Sequence, residues 1–118
     1  MAKYMLLLHD DPTSFATLSP EQIQKVIEKY VAWGTRLKQA GLLSESHKLT
    51  DEPGKVVRAP GGAVRVTDGP FSETKEILAG YYVIEAESYD RAVDHTRDCP
   101  HLEYGGTIEV RQVDDMGA

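Results

Sequence analysis

The chain predicts an α+β fold of the ferredoxin-like sandwich type, with a mainly antiparallel sheet and two helices on one face. Two observations lead to this fold class. Apolar runs and helix signals follow one another in the order strand, helix, several strands, helix, strand. The first helix also carries a single apolar stripe, which suits packing on one face of a sheet. The 118 residues suit one core, so we expect a single domain over residues 1–118.

The first strand and the first helix have the clearest signals. Tyr4 to Leu8 is a continuous apolar run, which predicts a buried strand. Residues 19–22 form a helix start, because the serine can cap, the proline suits the first helical position and the glutamine completes a capping box. Gly41 predicts a left-handed C-cap about five to six turns later. The apolar stripe of this helix consists of Ile23, Val26, Ile27, Tyr30 and Leu37.

The rest of the chain is predicted to be mainly strands. Gly80 to Ala86 is apolar on both faces, and Ser88 can cap a short helix that buries Ala92 and ends at Cys99-Pro100. Thr107 to Val113 alternates as a last strand. The middle strands are expected at Leu42–Lys48, Lys55–Ala59 and Ala63–Thr67.

The composition excludes several classes of function. The net charge is −6, from 19 acidic and 13 basic residues, and no Lys/Arg cluster stands out, so a nucleic-acid partner is not expected. The apolar run near the N-terminus is too short for a membrane span or a signal peptide. A single cysteine excludes an intrachain disulfide and favours a reducing cytoplasm. We expect no cofactor.

The segment from Val66 to Glu76 is the most informative motif. It begins as a strand and enters an Asp-Gly-Pro turn, in which glycine reaches positive φ and proline fixes φ. A loop with Phe, Ser, Glu, Thr, Lys and Glu follows. This segment resembles the DGPF-domain proteins of the YCII-related family, which are named for the tetrapeptide. The resemblance spans nearly the whole chain, from Tyr4 to Arg111.

The resemblance implies a dimeric α/β barrel. The residues agree, because the strands Tyr4–Leu8 and Tyr81–Ile84 are apolar on both faces while two helices cover only one. A twofold partner would cover the second face, so we expect a homodimer. DGPF-type proteins are also associated, as a family, with extracytoplasmic-function sigma factors. The resemblance therefore implies a sigma factor as a possible partner.

The Asp-Gly-Pro loop predicts a polar pocket. Lys75 can hold a carboxylate or stabilise a developing negative charge, and Asp68 can accept a proton or orient a histidine. The alternative is that Asp68 bonds to nearby backbone amides and only shapes the turn. The predicted ligand-binding residues are Phe71, Glu76, Tyr81 and His101.

Two histidines are further candidates for catalysis. His9 directly follows the first strand and can act as a general base near neutral pH. Some YCII-family relatives carry a histidine–aspartate pair proposed to be catalytic, which the resemblance extends to His9 as a possible match. His101 can reach the same pocket, and a structural role at a helix end is the alternative. No standard zinc spacing involves Cys99, which we expect to be buried and inert, so no metal is predicted.

Two functions remain open at this point. The first is a small-molecule site with proton-transfer or lyase-type chemistry, in which His9 or Asp68 is the base and Lys75 the electrostatic partner. The second is a regulatory or partner-binding module. A dimeric scaffold without pocket chemistry is the simplest alternative. Tyr30 and Trp33 are expected in the core or at a dimer contact.

Overall fold

The computed structural model describes residues 1–52, 54–69 and 76–116. Short 3-10 turns occupy residues 12–15 and 60–62. The strands are β1 Ala2–Asp10, β2 Leu43–Lys48, β3 Lys55–Arg58, β4 Arg65–Asp68, β5 Ile77–Ala86 and β6 Thr107–Gln112. The α-helices are α1 Pro20–Gln39, α2 Tyr89–Thr96 and α3 Pro100–Glu103.

Four strands form one antiparallel sheet in the order β2-β5-β1-β6. With one long helix after β1 and one after β5, this is the ferredoxin-like arrangement, so the predicted fold class is confirmed. The strands β3 and β4 pair with each other in a separate hairpin. This hairpin is inserted between β2 and β5.

The core lies between the sheet and its helices. Alternation along β1 buries Tyr4, Leu6 and Leu8 on the same face. Trp33 of α1 and Ile84 of β5 join the same buried cluster. The Trp33 indole packs edge-on against the Tyr82 ring, which confirms its predicted core position.

The ends of α1 agree with the sequence. The Ser19 hydroxyl accepts a hydrogen bond from the Gln22 backbone N–H at 3.2 Å, and the Gln22 side chain accepts one from the Ser19 N–H at 2.8 Å. Gly41 follows the helix with a φ of 74°, the left-handed value that glycine allows. Some boundaries differ: β1 was predicted to end at Leu8 but continues through His9 to Asp10, and Pro100 not only stops α2 but also starts the single turn of α3.

A β-bulge changes the register between β1 and β5. Leu8 pairs with Gly80, but His9 pairs with Leu78, so β5 contains one additional residue, Ala79. By the alternation of β1, Asp10 follows Leu8 onto the face covered by α1. The carboxyl end of β1 therefore brings an acidic side chain to the helix side of the sheet.

No helix within the described ranges is long and apolar enough to cross a membrane.

Candidate functional site

A cavity of about 730 Å³ lies between α1 and the sheet, beside the carboxyl end of β1. Its volume is in the range of small-molecule sites. Its walls are largely apolar, and several polar side chains reach it from β1, α1, β2 and α3. The apolar walls include Leu8, Phe15, Ile23, Ile27 and Tyr82, and the polar groups include Asp10, Tyr30, Lys48 and His101.

His101 is the central polar group of this cavity. The residue is 2% exposed, and both of its ring nitrogens have partners. Nε2 lies 2.7 Å from the carbonyl oxygen of His9, and Nδ1 lies 2.7 Å from the hydroxyl of Tyr30. Since a carbonyl only accepts, Nε2 carries the hydrogen, and the neutral ring accepts the Tyr30 hydroxyl hydrogen at Nδ1. The backbone of β1 thus sets the tautomer of His101.

The chain around His101 leaves room for its ring. Pro100 starts the turn that carries His101, and the Gly106 N–H donates to the His101 carbonyl at 2.9 Å. A Cβ at Gly106 would lie 2.3 Å from His101 Nε2, well inside contact distance. A glycine at this position is therefore required for the observed position of the imidazole.

Asp10 contributes a carboxyl group with altered acidity. Burial raises the pKa of Asp10, because desolvation disfavours the charged form. The nearby His101 and Lys48 act in the opposite direction, while Asp51 and Asp11 raise the pKa further. A carboxyl group that holds its proton more tightly than usual is suited to exchanging protons with a ligand.

Tyr30 stays a hydroxyl under ordinary conditions. Burial is the main cause that raises the pKa of Tyr30, so the phenol keeps its proton and donates a hydrogen bond to His101. Cys99, which lies two positions before His101 in the sequence, is only 3% exposed. Burial raises the pKa of its thiol to about 11. The prediction of a buried, inert Cys99 is thus supported by its environment.

A second depression, of about 330 Å³, lies between α1 and the turn of α3. Its charged side chains already form ion pairs with one another. Lys29 Nζ lies 2.7 Å from Glu103 Oε1, and Arg36 pairs with Asp98. The hydrogen bond from Arg36 lowers the pKa of Asp98. These pairs tie α1 to α3 and to the segment after α2, and they need no ligand.

Among the residues predicted from sequence, His101 lines the cavity. His9 contributes its carbonyl to His101, but its own ring lies 3.3 Å from Glu109 Oε1. Glu76 accepts a hydrogen bond from the Thr107 hydroxyl at 3.3 Å. Neither the His9 nor the Glu76 side chain is part of the cavity wall.

The other predicted residues do not gather around His101. The Tyr81 hydroxyl donates to Glu45 at 3.3 Å, and Tyr81 pairs with Leu7, which lies on the face opposite the helices. Asp68 ends β4 on the hairpin, where its carboxylate pairs with Lys55 and its side chain is 80% exposed. Phe71 and Lys75 lie outside the described residues. Their roles, like that of Asp68, stay predictions.

Sequence reasoning missed Asp10 and Tyr30 as site residues. A period-two signal was available for Asp10, because it lies two positions after Leu8 and so points to the same face. Tyr30 lies on the apolar stripe of α1, where an aromatic residue with a polar tip suits a buried wall that ends at a hydrogen-bonding group. Among the described residues, no three His, Cys, Asp or Glu side chains group together as a metal site.

Comparison with known proteins places the chain in a family. The model of the YCII-related domain matches residues 2–117. An uncharacterised protein of Rhizobium meliloti is 33% identical over 110 residues, which cover 92% of this chain and 89% of that protein.

Among solved structures, the chain is similar to 5-chloro-2-hydroxyhydroquinone dehydrochlorinase (TftG) from Burkholderia phenoliruptrix, in complex with 2,5-dihydroxybenzoquinone. The TM-score is 0.48 at 16% identity, and the match covers 95% of this chain and 93% of TftG. We draw nothing about chemistry from a likeness at this level. The match to the family model over nearly the whole length decides the assignment: this chain is a member of the YCII-related family.

Proposed function

We propose that the chain binds a small molecule in the cavity beside α1 and moves a proton on it. The observation that carries this proposal is the polar end of an otherwise apolar cavity, formed by Asp10 and the Tyr30–His101 pair. Buried polar groups cost free energy, and a cluster of them at a cavity wall favours a site that uses them. The proposed pocket is therefore at α1.

The geometry supports a relay of one proton. A ligand hydroxyl that approaches Tyr30 gives its proton to the phenol oxygen while Tyr30 gives its own proton to His101 Nδ1. The other hydrogen stays on Nε2, hydrogen-bonded to the His9 carbonyl, so His101 becomes an imidazolium. The carboxylate of Asp10 favours that positive charge, since the two groups interact electrostatically. That carboxylate forms when Asp10, protonated before the step, gives its proton to another atom of the ligand.

The ligand suggested by these walls has an apolar body and a polar end. Ile23, Ile27 and Phe15 contact the body, while Tyr30 and Asp10 face the reacting group. An ionisable hydroxyl or an enolisable carbonyl at that end would suit the relay, because each exchanges a proton with a neighbouring acid or base.

A thermal-shift screen of the purified chain against a metabolite library tests this proposal. A compound that binds the folded state raises the midpoint with its concentration. For a true ligand of this cavity, we expect Tyr30→Phe and Asp10→Asn to weaken binding by about tenfold each, the usual effect of one lost hydrogen bond. Asp114→Asn, an exposed change in the C-terminal tail, is the control and should leave binding unchanged.

The same screen separates this site from the loop predicted from sequence. A ligand that is lost in Lys75→Ala but unaffected by Tyr30→Phe and Asp10→Asn would place the site at residues 68–75 and contradict the proposal. Proton transfer is then tested with the identified ligand in deuterium oxide. NMR should show deuterium entering a carbon-bound position of the ligand with the wild type, and Asp10→Asn should slow this exchange.

A further inference from the structure

The β3–β4 hairpin has an apolar face that its own chain leaves open. Val57 and Val66 form a cross-strand pair and are 64% and 60% exposed. Val64, two positions from Val66, is 71% exposed. The hairpin makes no extensive contact with any other described helix or strand. An isolated two-stranded hairpin is marginally stable in water, so this one needs a surface to pack on.

The dimensions of the chain agree with a projecting hairpin. The radius of gyration is 16.3 Å. A compact chain of this length has a radius of gyration of about 13 to 14 Å. The excess over the compact value indicates that part of the chain extends away from the core. Among the described strands, β3 and β4 pack least on the rest of the chain, so a projecting hairpin agrees with this extension.

The open side of α1 offers a surface of matching size. Ile23, Ile27 and Val31 follow each other at four-residue spacing along this helix, and they are 38%, 49% and 62% exposed. This isoleucine–valine stripe runs about 12 Å along the axis at 1.5 Å per residue. A four-residue strand such as β3 or β4 spans about 13 Å. All three stripe residues also line the cavity, so a strand pair placed on them would cover it.

Charge favours contact between the hairpin and the body of this same protein. The hairpin strands carry Lys55, Arg58 and Arg65 against one acid, Asp68, although the whole chain has 19 acidic and 13 basic residues. The cavity itself is lined by two acids, Asp10 and Asp51, and two lysines, Lys38 and Lys48, so the excess of acidic groups belongs to the rest of the chain as a whole. A basic hairpin and an acidic body attract each other through this overall charge.

We propose that the hairpin of one copy docks with its valine face on the isoleucine–valine stripe of a second copy and closes that copy's cavity. In the single chain, the valine face and the stripe are both open at once, so the hairpin does not cover its own helix. The exchange is reciprocal: two hairpins fill two stripes around a twofold axis. The partner's valines then form the outer wall of the cavity, and the site is complete only in the dimer.

Disulfide cross-linking of the full chain tests this proposal. Two single variants, Val57→Cys and Ile27→Cys, are purified separately, and one is lengthened by a tag. They are then mixed and oxidised mildly. We expect a covalent dimer of mixed mass on a non-reducing gel. The native Cys99 is 3% exposed and takes no part. The pair Val57→Cys and Arg91→Cys, with the second cysteine on the exposed surface of α2, is the control and should not cross-link.

A second pair, Val66→Cys and Val31→Cys, repeats the test at the other end of the stripe. A mixed dimer from either pair, without one from the control, supports the exchange. The double variant Val57→Cys/Ile27→Cys carries both cysteines in one chain. If it forms an intrachain disulfide, the hairpin covers its own helix. An intrachain disulfide overturns the proposal. The absence of mixed dimer from both pairs also overturns it, and the two apolar surfaces would then be available to bind an unrelated protein. No ligand is needed, so the outcome is independent of the proposed proton transfer.

Discussion

The polar groups at the cavity end of the sheet are buried and hydrogen-bonded, whereas those on the β3–β4 hairpin are exposed to water. His101 is 2% exposed, and each ring nitrogen has a hydrogen-bond partner within 2.7 Å. Asp68 on the hairpin has a side chain that is 80% exposed, and it pairs with Lys55 at the surface. Water competes for the second pair but not for the first. The hydrogen-bond geometry is therefore held more firmly at the cavity than on the hairpin, whose exposed valines face water.

The largest effect is expected for His101→Ala. The substitution removes a buried ring and leaves the Tyr30 hydroxyl and the His9 carbonyl without their partner. We expect the free energy of unfolding to fall by about 2–4 kcal/mol in a urea titration. Asp68→Ala is the matched change on the hairpin and should alter it by less than about 0.5 kcal/mol. Equal losses in the two variants would contradict the contrast between the two regions.

A smaller loss is expected when the ring of His101 is displaced rather than removed. In Gly106→Ala the new methyl group would overlap the imidazole, so we expect a loss of about 1–3 kcal/mol. Gly34→Ala is the control, because its methyl group would lie 3.7 Å from Tyr82, an ordinary contact. Alanine also favours a helix interior, so Gly34→Ala should gain up to about 1 kcal/mol. If Gly106→Ala has the same free energy of unfolding as the wild type, the turn that carries His101 can move to make room for the methyl group, and this prediction is wrong.

The smallest effect is expected for Asp10→Asn, and it depends on pH. The folded pKa of Asp10 is raised above the ordinary value of an aspartate by burial, so the folded state binds the proton more tightly than the unfolded chain. The stabilisation from that proton is complete below the unfolded pKa and is lost as the pH rises through the folded pKa. Asp10→Asn should therefore stabilise the protein at pH 7, by less than about 1 kcal/mol, and less at pH 4.

Urea titrations of both proteins between pH 4 and pH 7 measure this difference. Asp114→Asn provides the exposed reference. A difference between Asp10→Asn and wild type that stays constant with pH would show that the Asp10 carboxyl does not titrate differently in the folded protein.

The fold could be predicted from the sequence because its signals are local. The capping box of Ser19 and Gln22 and the period-two burial of β1 each depend on residues close together in the chain. The site could not be assembled in the same way. His9 and His101 are 92 positions apart, and their hydrogen bond depends on how α3 packs beside the end of β1. The acidity of Asp10 likewise depends on Lys48 and Asp51, which arrive from β2 and the segment after it.

The Asp-Gly-Pro segment shows the same limit of local signals. A conspicuous motif identifies a family, but it does not reveal which face of the fold holds a cavity. Tyr30 was not predicted to be a site residue, because an aromatic residue on an apolar helix stripe usually lies in the core. Its hydroxyl became informative only when the ring of His101 was found 2.7 Å away. Phe71 and Lys75, outside the described residues, still await the binding experiments.

The bulge in β5 has a consequence for how this family can diversify. Because Ala79 is the additional residue, Leu78 lies with His9 and Ile77 lies with Asp10. Deleting Ala79 would restore regular pairing and leave these two side chains where they are, but it would remove one residue from the wall of the cavity. A length change of one residue in β5 would thus alter the surroundings of the Asp10 carboxyl without any substitution. Relatives that lack the bulge would be expected to have a differently shaped cavity at this end of the sheet.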